Sequence, residues 1–171
     1  MTTRLICTAL AALLGCALPA SAAAQGRGTL EIGAFGRYVN YDNAIGLDNA
    51  VAVGGRVALY LGPTFAIEVD LARSPDHTPL HVRAAYEGPV SDRVEALLGF
   101  GLVHNWYGAP YHLADDGISG LLGVRYRASQ QLWLRIGLDL DAMFHTSAQS
   151  PFNFYAGNWG IHVGAGVPLN R

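Results

Sequence analysis

Lysine is absent from this chain of 171 residues, and all eleven of its basic residues are arginine. Soluble domains usually cover their surface with Lys and acidic residues, but here only 14% of the residues are charged and 51% are hydrophobic. The formal net charge of −2 offers no basic surface for nucleic acid. The composition is therefore too apolar for an ordinary soluble cytosolic domain and too hydrophobic for a disordered chain.

Cysteine is almost absent, since the two cysteines, Cys7 and Cys16, both lie near the amino terminus. Residues 1–24 are typical of a secretory signal peptide, with Arg4 as the positive end, Leu5–Leu14 as the apolar core and small residues before Ala24. We expect cleavage after Ala24. The mature chain would then contain no thiol, which excludes disulfides, thiolate metal sites and Cys nucleophiles.

The same segment permits a second interpretation. Leu13-Leu14-Gly15-Cys16 resembles the bacterial lipobox, in which the cysteine is acylated and becomes the first mature residue. Leu is not the favoured residue before that Gly, and a better cleavage site follows at Ala24, so signal-peptide processing is the favoured prediction.

Long hydrophobic runs are also missing beyond residue 25. The uncharged stretches there, such as Ala96–Ala114, are interrupted by glycines, prolines and polar residues. A transmembrane helix needs about 20 consecutive apolar residues, so the sequence excludes a helical membrane protein.

Apolar residues instead alternate with polar or small ones in eight segments from Thr29 onward. In one of them, Ile67, Val69 and Leu71 alternate with Glu68 and Asp70. The apolar face is bulky in nearly every segment, whereas the other face combines charged residues with Gly and Ala. Small residues fit inside a narrow barrel and large aliphatic ones fit against lipid. The pattern predicts an all-β, eight-stranded antiparallel transmembrane β-barrel over residues 29–171, after a short lead at residues 25–28.

The inward positions of this barrel hold seven acids and seven bases. An eight-stranded barrel is only wide enough for its side chains to fill, so we expect these charges to pair and plug the lumen. The predicted lumen charge network consists of Glu31, Arg37, Arg56, Glu68, Asp70, Arg83, Glu87, Arg93, Glu95, Arg125, Arg127, Arg135, Asp139 and Asp141.

The connections between segments alternate in length. Short ones fall at residues 62–63, 88–92 and 129–131, and mostly longer ones at 42–50, 74–79, 108–117 and 145–157. Outer-membrane barrels have short periplasmic turns and longer external loops, so both termini would be periplasmic. Aromatic residues near the strand ends predict an interfacial girdle of Tyr38, Tyr60, Phe65, Trp106, Tyr107, Tyr126, Trp133, Phe144 and Trp159.

Three stretches carry a resemblance to a known group of proteins: Leu30–Tyr38, Gly54-Gly55-Arg56 and Gly123–Arg127 after the Asp115-Asp116-Gly117 loop. They resemble the OmpA-like transmembrane domain and opacity-protein superfamily over about residues 28 to 169. The resemblance implies an eight-stranded barrel in the outer membrane of a Gram-negative bacterium, with a structural, adhesive or protective role. One departure is that such barrels usually end in an aromatic residue, whereas this chain ends in Arg171.

Candidate catalytic and metal-binding groups are few. His145-Thr146-Ser147 looks like the His-x-Ser pair of the lipid A deacylase barrels, but no Asp or Glu follows Asp141 to orient the histidine. The histidines and carboxylates expected in external loops match no metal-ligand spacing, so we expect no catalytic residue, metal or cofactor. These loop residues are His77, His104, His112, His145, Asp115 and Asp116.

The favoured prediction is a monomeric, non-enzymatic barrel that contacts outer-membrane lipid and serves a structural or surface-contact role. Acidic loops could recruit a cationic surface ligand of unknown identity: Asp42, Asp48, Asp76, Asp115 and Asp116 lie near one base, Arg73. The alternatives are a small pore or hydrophobic-ligand conduit and, third, a lipid-modifying enzyme. Fold alone does not decide among them.

Overall fold

Eight antiparallel strands form a closed barrel in the computed structural model, which describes residues 26–41, 47–109, 112–144 and 157–169. Each strand pairs with its neighbours in sequence, and β1 also pairs with β8. This architecture confirms the predicted fold class. The strands are β1 (Leu30–Asn40), β2 (Ala50–Tyr60), β3 (Phe65–Arg73), β4 (His77–Pro89), β5 (Val94–Tyr107), β6 (Leu113–Arg127), β7 (Trp133–Met143) and β8 (Gly157–Pro168).

Strict alternation of burial follows from the sequence pattern. In β3 every second residue is buried, and Phe65, Ile67, Val69 and Leu71 are exposed between them. Exposed apolar side chains cover the outer wall on the other strands as well. An apolar outer surface on a closed barrel suits lipid, because closure leaves no strand edge with unpaired backbone groups. Within the described residues, no helix is long and apolar enough to cross a membrane.

The two ends of the barrel differ. The connections at residues 61–64, 90–93 and 128–132 lie at the end where the described chain begins and finishes, here called the turn end. The opposite, loop end carries the connections that follow β1, β3, β5 and β7. The short connection at residues 74–76 between β3 and β4 also belongs to the loop end.

Two loop-end connections are shorter than the sequence predicted. β4 begins at His77, inside the expected loop of residues 74–79, and β6 begins at Leu113, inside the expected loop of residues 108–117. β5 and β6 have 14 and 15 residues, whereas about 9 to 11 suffice to span a bilayer. The hairpin therefore extends past the apolar layer, where polar residues are tolerated within a strand. Asp115 and Asp116 consequently belong to β6 and not to a loop.

Close packing between strands leaves no space for a side chain at one inward glycine. A Cβ atom on Gly101 of β5 would overlap the carbonyl oxygen of Val82 on β4, whereas a Cβ on the lipid-facing Gly36 would meet nothing within 4 Å. We predict that Gly101→Ala lowers the free energy of unfolding by about 1 to 3 kcal/mol. Gly36→Ala should leave it within about 1 kcal/mol of the wild type. Urea unfolding in lipid vesicles measures both; equal effects would contradict the packing argument.

Candidate functional site: the charged lumen

Ten of the charged side chains buried inside the barrel form ion pairs with one another. They are supplied by six of the eight strands, so the pairs join residues distant in sequence. The ten residues are Glu31, Arg37, Arg56, Glu68, Asp70, Arg83, Glu87, Arg125, Arg135 and Asp139.

Arg125 of β6 organises the turn-end part of this network. Its Nη2 donates to Glu31 Oε2 at 2.8 Å, its Nη1 pairs with Glu87, and its Nε lies 3.5 Å from Glu95 Oε2. The guanidinium carbon also lies 4.0 Å from the ring centroid of Trp133. One guanidinium thus compensates three carboxylates and packs on an aromatic face, a geometry for which Arg is suited and Lys is not.

Arg56 and Arg135 continue the network through Glu68. Arg56 pairs with Glu31 and lies 3.4 Å from Glu68 Oε1 through its Nη1. Arg135 donates to both oxygens of Glu68, at 2.6 and 3.0 Å. This two-bond contact is the strong, directional form of an arginine–carboxylate pair.

A four-membered group occupies the loop-end half. Arg37 lies 3.1 Å from Asp70 Oδ1 and 3.0 Å from Asp139 Oδ2, and Arg83 lies 2.6 Å from Asp139 Oδ1 and also pairs with Asp70. Each arginine forms ion pairs with both carboxylates, and each carboxylate with both arginines. Removing any one member therefore deprives two partners of one of their ion pairs.

Two histidines complete the network. His162 Nε2 accepts from Arg135 Nε at 3.1 Å, and its Nδ1 lies 2.7 Å from Asp139 Oδ2. An acceptor at Nε2 and a donor at Nδ1 is the neutral form. His162 therefore joins the turn-end and loop-end halves into one hydrogen-bonded network.

His81 lies between two carboxylates. Its Nδ1 is 3.0 Å from Asp70 Oδ1 and its Nε2 is 3.1 Å from Asp141 Oδ2, while Arg37 Nη1 lies 3.3 Å from Nδ1. With a carboxylate oxygen at each ring nitrogen, the imidazolium donates to both carboxylates, and the longer Arg37 contact is then an approach of two donors to the shared Asp70 and not a hydrogen bond. His81 thus supplies positive charge that a count of arginines misses.

Glycines opposite the ionic groups provide the space that they need. A Cβ on Gly166 would lie 2.6 Å from Glu31 Oε1, and one on Gly137 would lie 2.6 Å from the His162 ring. The cavity that remains beside Phe35 and these pairs is about 10 Å³, about the minimum volume for one water molecule. The inward glycines predicted from the sequence therefore accommodate packed side chains.

Not every residue predicted for the lumen lies there. Arg93 is exposed in the turn before β5, so its placement in the lumen is wrong: the strand begins one residue later. Arg127 is half-buried at the end of β6, where it donates to the Asp92 carbonyl. Glu95 and Asp141 are partly exposed but do pair with Arg125 and His81.

Three residues predicted for the aromatic girdle lie inside instead. Tyr60, Tyr107 and Trp133 are 0%, 4% and 6% exposed. Their positions near strand ends suggested the girdle, but alternation puts them in phase with inward residues. Tyr60 in particular donates to Glu87 Oε2 at 2.6 Å and belongs to the charge network.

The other girdle residues lie on or near the outer wall. Phe144 is half-buried after β7, and Tyr86, which lies outside the predicted set, is exposed on β4. Tyr38 and Trp159 meet edge to face with ring centroids 6.0 Å apart. The exposed aromatics from the predicted set are Tyr38, Phe65, Trp106, Tyr126 and Trp159.

Those predicted loop histidines that the structure describes do not converge. His77 is buried inside the barrel, whereas His104 pairs with Asp116 at 2.6 Å on the outside of the β5–β6 hairpin. His112 is exposed beside that hairpin, and His145 lies outside the described residues, as does the rest of the His145-Thr146-Ser147 motif. Within the described ranges, no group of three or more potential ligands is arranged for a metal ion.

Known structures similar to this one are small membrane barrels. The N-terminal β-barrel domain of Pseudomonas aeruginosa OprF is 17% identical, with a TM-score of 0.64, and the match covers 85% of this chain and 100% of that one. Neisserial surface protein A is 14% identical, with a TM-score of 0.65 and coverages of 82% and 97%. Ail of Yersinia pestis is 10% identical, with a TM-score of 0.55 and coverages of 85% and 99%. No protein-family model and no curated protein sequence matches the chain.

These identities establish the fold alone. The chain has the architecture of a small eight-stranded outer-membrane β-barrel, which is the fold implied by its resemblance to the OmpA-like and opacity proteins. The closed barrel and its apolar outer wall together meet the requirements of the outer membrane of a Gram-negative bacterium.

The lumen pairs predict an asymmetry between two arginines of β6. Arg125→Ala leaves Glu31, Glu87 and Glu95 without their shared cation, and we expect a loss of about 3 to 5 kcal/mol in the free energy of unfolding. Arg127→Ala, two residues along the same strand, should cost less than about 1 kcal/mol because that side chain is partly solvated. Urea unfolding followed by circular dichroism compares them. Similar losses would mean that the lumen pairs are not decisive.

Proposed function

We propose that the protein is a non-enzymatic, monomeric outer-membrane barrel that stabilises the envelope and makes surface contacts through its loop end. The observation that carries this proposal is the ion-pair network that links Arg125 near the turn end to His81 in the loop-end half. Bridging arginines hold the side chains in place across the lumen. The interior therefore acts as a plug that rigidifies the barrel, and partner contacts fall to the loop end.

The ionic lumen argues against the conduit alternative. A hydrophobic ligand would have to displace paired charges such as Arg83 and Asp139, which are 1% and 2% exposed, and it could not replace their hydrogen bonds. Separating a buried pair costs several kcal/mol. A steady aqueous pore would require the same separation.

The loop-end hydroxyls also favour a non-enzymatic protein. Ser74 Oγ donates to the backbone carbonyl of His77 at 3.1 Å, while the ring of His77 faces Tyr41 and Asn105. The imidazole therefore does not activate the serine, as a nucleophilic mechanism requires. Ail of Yersinia pestis, a barrel of similar fold, has been solved in complex with the heparin analogue sucrose octasulfate. We infer that ligands of this chain bind outside the lumen, because paired side chains fill the interior.

Conductance tests the plug. Wild-type protein in planar bilayers should carry no steady current, because its guanidinium groups span the lumen. The double variant Arg83→Ser, Arg125→Ser removes one bridging side chain from each half of the lumen. Its folded form serves as a positive control and should conduct ions. Steady open-channel currents from the wild type would refute the plug and favour the pore.

Export is tested by fractionation with an N-terminal peptide map. We expect outer-membrane recovery and a mature chain beginning after Ala24, because residues 1–24 combine a positive end, an apolar core and a small-residue cleavage site. An acylated Cys16 at the mature N-terminus would instead establish lipoprotein processing. Recovery in the soluble periplasm would contradict membrane insertion.

A further inference from the structure

An open cavity of about 290 Å³ lies at the loop end, outside the ion-pair network. It is formed where the segment before β2 meets the β3–β4 turn, and Ala109 closes it from the β5–β6 side. Its volume is close to the lower limit for small-molecule sites. The lining residues are Tyr41, Leu47, Asp48, Asn49, Ala50, Ser74, Pro75, Asp76 and Ala109.

The floor of the cavity is polar and hydrogen-bonded. Tyr41 and Ser74 are each 5% exposed, and their hydroxyl oxygens lie 3.3 Å apart. The Tyr41 hydroxyl is also 3.0 Å from Nδ1 of His77, whose Nε2 lies 2.6 Å from Asn105 Oδ1. Asn105 can only accept at that oxygen, so His77 carries its proton on Nε2 and accepts from Tyr41.

Burial raises the pKa of Tyr41 above its usual value. The phenol is therefore protonated at neutral pH and adds no negative charge to the cavity. The His77 ring stacks on the Tyr107 ring, with centroids 4.8 Å apart. This contact holds the imidazole in the position from which it orients the Tyr41 hydroxyl.

Backbone contacts fix the walls. The Tyr41 amide donates to Asn49 Oδ1 at 3.2 Å, which ties the segment before β2 to the end of β1. The Gly108 amide donates to the Asp76 carbonyl at 2.8 Å, which ties the β3–β4 turn to the β5–β6 connection. A site whose walls are already held in place loses less entropy when a ligand binds.

The charged residues that line the cavity are both acidic, and another part of its wall is apolar. Asp48 and Asp76 are exposed acids that form no ion pair among the described residues, and no basic side chain lines the cavity there. The nearby base, Arg73, donates instead to Thr78 Oγ1 at 3.2 Å. A ligand that matches this surface carries positive charge and a short aliphatic body, because the remaining wall consists of Leu47, Ala50, Pro75 and Ala109.

We propose that this loop-end cavity binds a small aliphatic diamine, with its ammonium groups at Asp48 and Asp76 and its methylene chain against the apolar wall. The inference rests on the proposed surface-contact function and specifies its ligand. Tyr41 and Ser74 supply hydroxyl oxygens that accept hydrogen bonds from an ammonium group at the floor.

Calorimetric titration of the full-length protein in lipid nanodiscs tests the proposal, with putrescine as the probe. We expect saturable binding at one site per barrel. Asp48→Asn and Asp76→Asn should each weaken binding about tenfold, since each loses a charge-assisted hydrogen bond. Ala109→Leu should weaken it comparably by filling the cavity without changing its charge. Asp92→Asn, an equal charge change at the turn end, should have no effect.

Further probes separate the possible sources of binding. Butylamine should bind more weakly than putrescine, and butanediol, which has the same length without charge, should not bind. Mg²⁺ binding that equals putrescine and tolerates Ala109→Leu would overturn the proposal, since the apolar wall would then be irrelevant. Equal weakening by Asp92→Asn would overturn it in favour of unspecific attraction.

Conductance of the same preparation distinguishes the two proposals. A folded, non-conducting barrel that fails to bind putrescine overturns the cavity assignment and leaves the plugged barrel intact. A conducting wild type that binds putrescine with the expected residue dependence overturns the plug and leaves the cavity assignment intact.

Discussion

Pairing of arginines with carboxylates inside the closed barrel is the interaction on which the other features depend. Lipid outside requires apolar outward residues, and the period of two then reserves the intervening positions for the lumen. A register slip of one residue would carry Arg83 and Glu68 to the lipid side, at several kcal/mol each. The pairs therefore select one register. Their net stabilisation relative to an apolar interior can be small, yet loss of one partner is costly.

The size difference between the two faces follows from these pairs. A bridging guanidinium fills much of the narrow lumen, so the strand opposite it must have little or no side chain. Gly166 faces the Glu31–Arg56 pair and Gly137 faces His162 in this way. Outward positions face fluid lipid and have no such limit, which explains why bulky aliphatic residues accumulate there. Electrostatics thus determines the steric pattern that identifies the barrel in the sequence.

Alternation predicted the eight strands, and which residues of each strand point into the lumen or toward lipid, because both depend only on local spacing. It did not predict the strand ends at His77 and Leu113, since strands that extend past the bilayer carry polar residues as loops do. The prediction for Tyr60 is wrong because its position near a strand end suggests the girdle, whereas its phase in the alternation makes it inward. The pattern could not predict which charged residues pair with each other. Glu31 and Arg125, for example, are 94 positions apart in the sequence, and only closure of the barrel brings them together.

The sequence does not predict the loop-end cavity for a related reason. Its floor needs Tyr41, His77 and Asn105 from three separated segments, and the sequence pattern predicts a loop at His77. Because β4 begins at His77, the histidine is inward and its ring can orient Tyr41. The arrangement also explains why polar recognition is feasible at this end. In the lumen nearly all the buried charged groups already have partners, whereas at the rim Asp48 and Asp76 face an open cavity whose floor and walls the barrel holds rigid.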